Sequence, residues 1–232
     1  MSSTLLTQYA QLIHTDKHIH IALSKTHQVL SSAVLNGGFC DANHLLNIRV
    51  SKNSSCSDSA DQTLIQYGEH LNLSGTVVGM MTAAFMNSLS LEKDTVQDVD
   101  IAVLVTSGLS NPRHVGDYAE HREMTTSQTD IGTINTIVLT SAILTQAALV
   151  EAMMIATEAK TAALVDANIL SPISQKLATG TGTDAIAIVN GHGPEEVQFC
   201  GKHVLFGEVL GRLVKAAVAS SISWDSSNRK VC

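Results

Sequence analysis

Five consecutive apolar residues, Ile101-Ala102-Val103-Leu104-Val105, restrict this 232-residue chain more than any other feature. A run of that length without alternation marks a strand covered on both faces, and a sheet is covered that way when helices pack over it. Six further segments are rich in Val, Ile, Thr or Ala and bounded by Gly, Asn or Asp: 18–23, 28–35, 44–50, 76–84, 132–140 and 184–190. They are expected to be strands, with 98–107 carrying the continuous run. Helices are expected over 3–14, 60–72, 145–168, 172–178 and 201–222. Thr145 is placed to cap the longest, and Asn168 can take the left-handed conformation that ends it. Ser171-Pro172 pairs a capping residue with proline at a first helical position. Ala148, Ala152, Ala156, Ala159 and Ala163 give 145–168 a slim surface for close approach to a sheet. The expectation is an α/β fold with an α+β tendency: a mixed β-sheet layered with helices, one compact domain over 1–232, with a flexible loop near 51–61.

Composition narrows the partners. Fourteen Lys and Arg against 21 Asp and Glu leave a net charge of −7, and only 15% of residues are charged. Such a chain lacks the basic stripe that phosphate backbones require, so no nucleic-acid partner is expected. Its 44% hydrophobic residues exclude disorder. Mean hydropathy is +0.17, yet no apolar stretch reaches the roughly 20 residues of a spanning helix. The first residues have neither a cationic nor a long apolar stretch, so a cytoplasmic location is expected. Cys40, Cys56, Cys200 and Cys232 are too scattered for a zinc or redox motif and read as free thiols. Protonating all ten histidines would move the charge from −7 to +3.

Small polar residues and glycines gather where strands should end: Asn36-Gly37-Gly38, Thr106 to Asn111, Gly132 to Asn135, and Thr179-Gly180-Thr181-Gly182-Thr183-Asp184. Loops outside strand ends form the ligand crevice of such sheets, and glycine lets backbone approach a ligand. The 179–184 loop lacks the lysine of a phosphate cradle, and no Gly-x-Gly-x-x-Gly leads into a helix, so nucleotide hydrolysis is rejected. Lys160 lies on the helical stripe of Met153, Ala156 and Leu164, where snorkelling is preferred over pairing with an acid. Glu158 shares a face with Glu151 and Thr161, and at i,i+2 it does not face Lys160. His18-x-His20 would place two imidazoles on one strand face, read as an exposed edge strand because no third metal ligand is identified. His203 is read at the start of the last helix in a capping or surface role. Asn135 shares a face with Ile137 and Leu139, which implies a buried amide that must be hydrogen-bonded.

In order along the chain, the Asn36-Gly37-Gly38 and Gly132-Thr133-Ile134-Asn135-Thr136 motifs join several others. These are Asn47, Gly79-Met80-Met81-Thr82-Ala83-Ala84, Gly108-Leu109-Ser110-Asn111 with Gly116-Asp117, Ala156-Thr157-Glu158-Ala159-Lys160-Thr161, Thr179 to Asp184, and Gly201-Lys202-His203 with Gly207-Glu208. Together they resemble the CbiZ family, adenosylcobinamide amidohydrolases, over about residues 28–218. Pro112 and His114 depart from the family pattern, and the 51–61 loop has no counterpart in it.

The resemblance implies hydrolysis of the amide joining aminopropanol to the corrin ring, giving adenosylcobyric acid in corrinoid salvage for coenzyme B12 synthesis. It implies a corrinoid partner bound by Asn36, Gly37, Gly38, Asn47, Ser110, Asn111, Asp117, Asn135, Thr179, Thr181 and Thr183. No cofactor is required on this reading, a divalent metal and a homo-oligomer are left open, and the cobalt belongs to the substrate. Amide hydrolysis needs a nucleophile, a stabilised oxyanion and a proton donor to the leaving amine. Asp184 or Glu158 is a candidate to activate water, Lys160 or the Asn36 and Asn111 amides to hold the oxyanion, and His203 to protonate the amine. Thr82 and Thr133 are alternative nucleophiles, with activation by self-cleavage in view for either, and metal-assisted hydrolysis is a third route. A non-catalytic corrinoid carrier or sensor is the rival of another class.

Overall fold

A computed structural model of the chain describes residues 3–51, 59–119 and 133–228. The centre of the loop expected near 51–61, Gly132, Cys56 and Cys232 lie outside them. Its frame is a nine-stranded mixed sheet. Strands β1 (Ser3–Thr7) and β2 (Ala10–His14) form a hairpin against β3 (His18–Ser31), whose other edge carries β4 (Gly38–Arg49). Helix α1 (Ala60–His70) then leads to β5 (Val77–Thr82), parallel to β4. Strands β6 (Ser90–Val96) and β7 (Val99–Ser107) form a second hairpin.

A two-residue strand, β8 (Pro112–Arg113), precedes β9 (Ile134–Thr140), which pairs with β7. Next come β10 (Ile143–Leu144), α2 (Gln146–Asp166), β11 (Gly180–Thr181) and β12 (Ala185–Val189). Strand β12 lies parallel to β9 and antiparallel to β3, joining the two hairpins into one sheet. Short β13 (Glu196–Val197) pairs with β10, and α3 (Leu205–Asn228) completes the order.

The continuous run in β7 has the two-sided cover its composition demands. Ile101, Val103 and Val105 pack under α2 and α3 with Ile134, Val138, Ile186 and Ile188. Ala102 and Leu104 face the opposite way, into an inner core with Ile19, Ile21, Leu45, Met80, Ile137 and Leu139. The sheet curls around that inner core. Tyr9, in the β1–β2 turn, donates its hydroxyl to Thr140 O, and Lys93 Nζ of β6 donates to Leu5 O of β1 at 3.2 Å. Helix α1 covers the outer side of β4 and β5, seating Leu64 on Leu46 and Ile48.

Five expectations are corrected. Residues 3–14 are a hairpin, not a helix, because β3 supplies a ladder for their backbone and Ala10 and Leu12 bury with period two. Residues 172–178 form a tight turn: Ser171 Oγ accepts from Ile173 N–H at 3.2 Å, Ser171 N–H donates to Lys176 O, and Gln175 takes φ 58°, so the serine closes a turn where a helix cap was expected. The segments 18–23 and 28–35 are one strand, β3, irregular between Ala22 and His27. His18 and His20 are therefore in the middle of the sheet and 6% exposed, not on an exposed edge. Helix α3 starts at Leu205, after a turn closed by Val204 N–H on Gly201 O, so His203 precedes it. Helix α2 is capped by Thr145 Oγ1 on Ala148 N–H at 3.1 Å and followed by Asn168 at φ 52°, as expected.

Candidate active site

Many of the polar side chains that sequence singled out gather at one mouth of the curled sheet. Here β9 and β12 begin, β7 ends, and the ends of β4 and β5 fold across the inner core to meet them. Period two divides the cluster into two sides. Asp184 precedes β12 in phase with Ile186 and Ile188, toward the helices. Thr133 and Asn135 are in phase with Ile137, toward the inner core.

On the helix side Lys160 of α2 forms a salt bridge with Asp184, the side chains being 8% and 11% exposed. This corrects the expectation that Lys160 snorkels. The carboxylate is saturated: Oδ1 accepts from Ile134 N–H at 3.0 Å and the Thr181 hydroxyl at 2.6 Å, while Oδ2 takes Thr181 N–H at 3.1 Å and the Lys160 ammonium. Four donors on one carboxylate fix it in direction. A lysine has three N–H donors, and one of Lys160's is engaged by Asp184. Gly180 lies against the pair: a side chain there would collide with Asp184 Oδ2 and stand 2.9 Å from Lys160 Nζ. Only glycine leaves the ammonium room.

On the inner side Asn135 donates to Asn47 Oδ1 at 2.8 Å and to Met81 O at 3.1 Å. Asn47 in turn donates to Thr106 Oγ1 at 2.9 Å. Thr133 faces two acceptors, Thr183 O and Asn135 Oδ1. All four side chains are buried, and this linked set of amides and hydroxyls ties β4, β5, β7 and β9 together. Thr82 is wholly buried next to Met81, its hydroxyl accepting from Ala84 N–H at 2.9 Å.

A strap over 110–117 packs on the 179–184 loop through the β8–β11 pair. It brings in Asn111, whose buried Oδ1 has no hydrogen-bond partner and whose Nδ2 lies 2.9 Å from where a side chain on Gly182 would begin. Thr179 accepts from Val115 N–H through its hydroxyl and from the Thr161 hydroxyl through its carbonyl. Asp117 accepts from Ser171 Oγ–H and from His114 N–H at 2.8 Å; the hydroxyl bonds, led by Ser171, hold its carboxyl down to about 2. Ser110 is exposed.

Other candidates fall outside the cluster. Glu158 pairs with Lys202 at 2.5 Å on the exposed side of α2. His203 is exposed against Gly201. Asn36, at φ 55° in the β3–β4 turn, donates to Val77 O at 2.8 Å, and Gly37 and Gly38 are exposed beside it. Backbone groups that no side-chain pattern announces, Ile134 N–H and Met81 O, are integral to the site. Among the described residues no three His, Cys, Asp or Glu side chains gather as a metal-ligand set. Nor is any described helix long and apolar enough to cross a membrane. Cys40 and Cys200 are free thiols.

Comparison with known proteins places the chain among relatives. Uncharacterized protein MJ1613 of Methanocaldococcus jannaschii is 34% identical over 157 residues, which span 62% of this chain and 61% of that protein. Among solved structures, the PH0078 protein from Pyrococcus horikoshii OT3 aligns over 96% of this chain and 82% of its own, with TM-score 0.41 and 11% identity. An L-aminopeptidase D-Ala-esterase/amidase from Ochrobactrum anthropi aligns over 93% and 83%, with TM-score 0.39 and 9% identity. The sequence profile of the adenosylcobinamide amidohydrolases matches residues 3–229. With nearly the whole chain covered by that match, the protein belongs to the CbiZ family.

Proposed function

We propose that the protein hydrolyses the aminopropanol amide of adenosylcobinamide, releasing the amine and adenosylcobyric acid. The observation that carries this reading is the buried Lys160–Asp184 pair at a mouth rimmed by Asn111, Thr181 and Gly180, in a chain of this family. An ammonium held in a largely dry site is worth more to a developing oxyanion than the same charge in water. Asp184, with its acceptor positions filled, acts as the anchor that keeps Lys160 in place and aimed. Lys160 faces the amide carbonyl with its remaining N–H donors. An oxygen nucleophile adds to that carbonyl, the C–N bond breaks as the amine leaves with the proton the nucleophile gives up, and an ester formed on a threonine is then hydrolysed by water.

The attacking oxygen belongs to water or to Thr133, whose hydroxyl is held beside Ile134, the residue bound to Asp184. Replacing Thr133 with Ala and with Ser separates them: turnover kept in both assigns water, while turnover kept only with Ser assigns the hydroxyl. A single intact mass excludes self-cleavage, and activity that survives chelation assigns the step to side chains. The deciding experiment is release of aminopropanol from adenosylcobinamide, followed by mass spectrometry. Release by the wild type, and loss of about a hundredfold or more in Lys160→Met, is expected. Corrinoid binding without release would replace this reading with a carrier or sensor.

A further inference from the structure

Two positions past Asn47 on β4 and one past Thr82 on β5 lies a hollow of about 590 Å³ lined by Asp16, Lys17, Arg49, Val50, Ser51, Ala83 and Phe85. It lies where the parallel strands β4 and β5 end, since Arg49 pairs in register with Thr82. Ligands of open α/β sheets bind outside such carboxyl ends. A volume of this order suits a ligand of nucleoside size and is too small for a corrin macrocycle.

Its walls specify the ligand further. The Arg49 guanidinium lies over the Phe85 ring at 4.0 Å from the centroid, and a planar guanidinium stacks on flat groups. Phe85 in turn leans on Trp224 of α3 at 6.4 Å between ring centroids. In a chain with 3% aromatic residues and one tryptophan, two of its aromatic rings stand beside this opening. The polar groups are mixed in sign. Asp16 presents acceptor oxygens of the kind that bind ribose hydroxyls, and Lys17 offers donors. A bare phosphate would meet the Asp16 carboxylate, whereas a neutral nucleoside uses donors and acceptors alike.

We propose that this hollow seats the adenosyl group of the substrate, its adenine stacked on the Arg49–Phe85 pair. The proposal rests on the reading that the substrate is adenosylcobinamide, and it makes Arg49 and Phe85 the residues that distinguish adenosylated from bare corrinoid. Hydrolysis is measured with adenosylcobinamide, and the affinity of aquocobinamide is measured as substrate or inhibitor. In Arg49→Ala the KM for adenosylcobinamide is expected to rise about tenfold, the loss of one stacked base, with kcat little changed and the affinity for aquocobinamide unaltered. Arg49→Lys, which keeps the charge and loses the plane, is expected to match Arg49→Ala. Equal weakening of both corrinoids, no change, or rescue by lysine overturns the proposal.

Adenosine alone, titrated against the emission of Trp224 and by calorimetry, gives a second readout. Saturable binding that weakens in Arg49→Ala supports the site, while binding of inorganic phosphate in its place, or of neither, overturns it. If no corrinoid releases an amine, the proposed function fails, and the adenosine titration still decides the fate of the hollow.

Discussion

At the level of single residues, the Lys160–Asp184 pair shows what a periodic pattern can and cannot reveal. The helical stripe puts Lys160 on the buried side of α2, but its partner is 24 positions away and meets it only because β12 passes beneath the helix. No local spacing carries that information. Asn135 was legible, because strand parity alone puts its amide among Ile137 and Leu139; its partner Asn47 was not, since the curl of the sheet brings β4 across to β9. Breaking a buried pair from one side leaves the other charge uncompensated, which is worse than removing both. Lys160→Met is therefore expected to lose about 3 kcal/mol of stability, read as a lower urea midpoint at unchanged m. Adding Asp184→Asn should return part of it. A single variant as stable as the wild type would show that Asp184 does not depend on Lys160 for its charge.

Elements were legible where periodicity and capping agreed and were misread where pairing decided. Helix α2 has both signals. Residues 3–14 carry enough Leu, Ile and Ala for a helix, yet an adjacent β3 with an open edge makes the hairpin the better solution for the backbone. Strand β6 escaped notice because its sequence, Ser-Leu-Glu-Lys-Asp-Thr-Val, is polar. It is recognisable only from the two-residue turn Gln97-Asp98, with φ 50° and 61°, which folds it onto β7.

Two glycines of α3 separate packing from propensity. A side chain on Gly207 would collide with the carbonyl oxygens of Cys200 and Gly201, while one on Gly211 would meet Ile155 Cγ2 at an ordinary 3.5 Å. Val209, Leu210 and Leu213 fix the helix against the sheet, so it cannot retreat. Gly207→Ala is expected to destabilise by about 2 kcal/mol and Gly211→Ala to stabilise by up to about 1 kcal/mol, both by urea unfolding. Equal shifts of the same sign would mean that α3 moves freely on the 200–201 segment.

For the whole molecule, histidine burial sets the response to acid. Ten histidines imply a charge reversal in mild acid, but three of them, in β3, do not titrate as free imidazoles. Burial lowers His20 to about 4, with His44 and His18 adding repulsion. His18 is lowered by burial, and His27 by burial before any other cause. His44 Nε2–H donates to Ser74 O at 3.0 Å, and with its Nδ1 as acceptor the 3.1 Å contact is donated by His20 Nε2–H. An unfolded histidine titrates near 6.5. Between that pH and about 4 the unfolded chain binds protons that the folded chain refuses, so stability is full above the window and falls as pH drops through it. Below it, carboxylates such as Asp117, held down to about 2, extend the loss. Urea midpoints measured from neutral pH to about 4 should therefore fall throughout that range. His20→Gln keeps an N–H for His44 without a titratable nitrogen, and its midpoints should fall less steeply over the same range. Matching slopes in the two proteins would place the acid sensitivity elsewhere than in this imidazole pair.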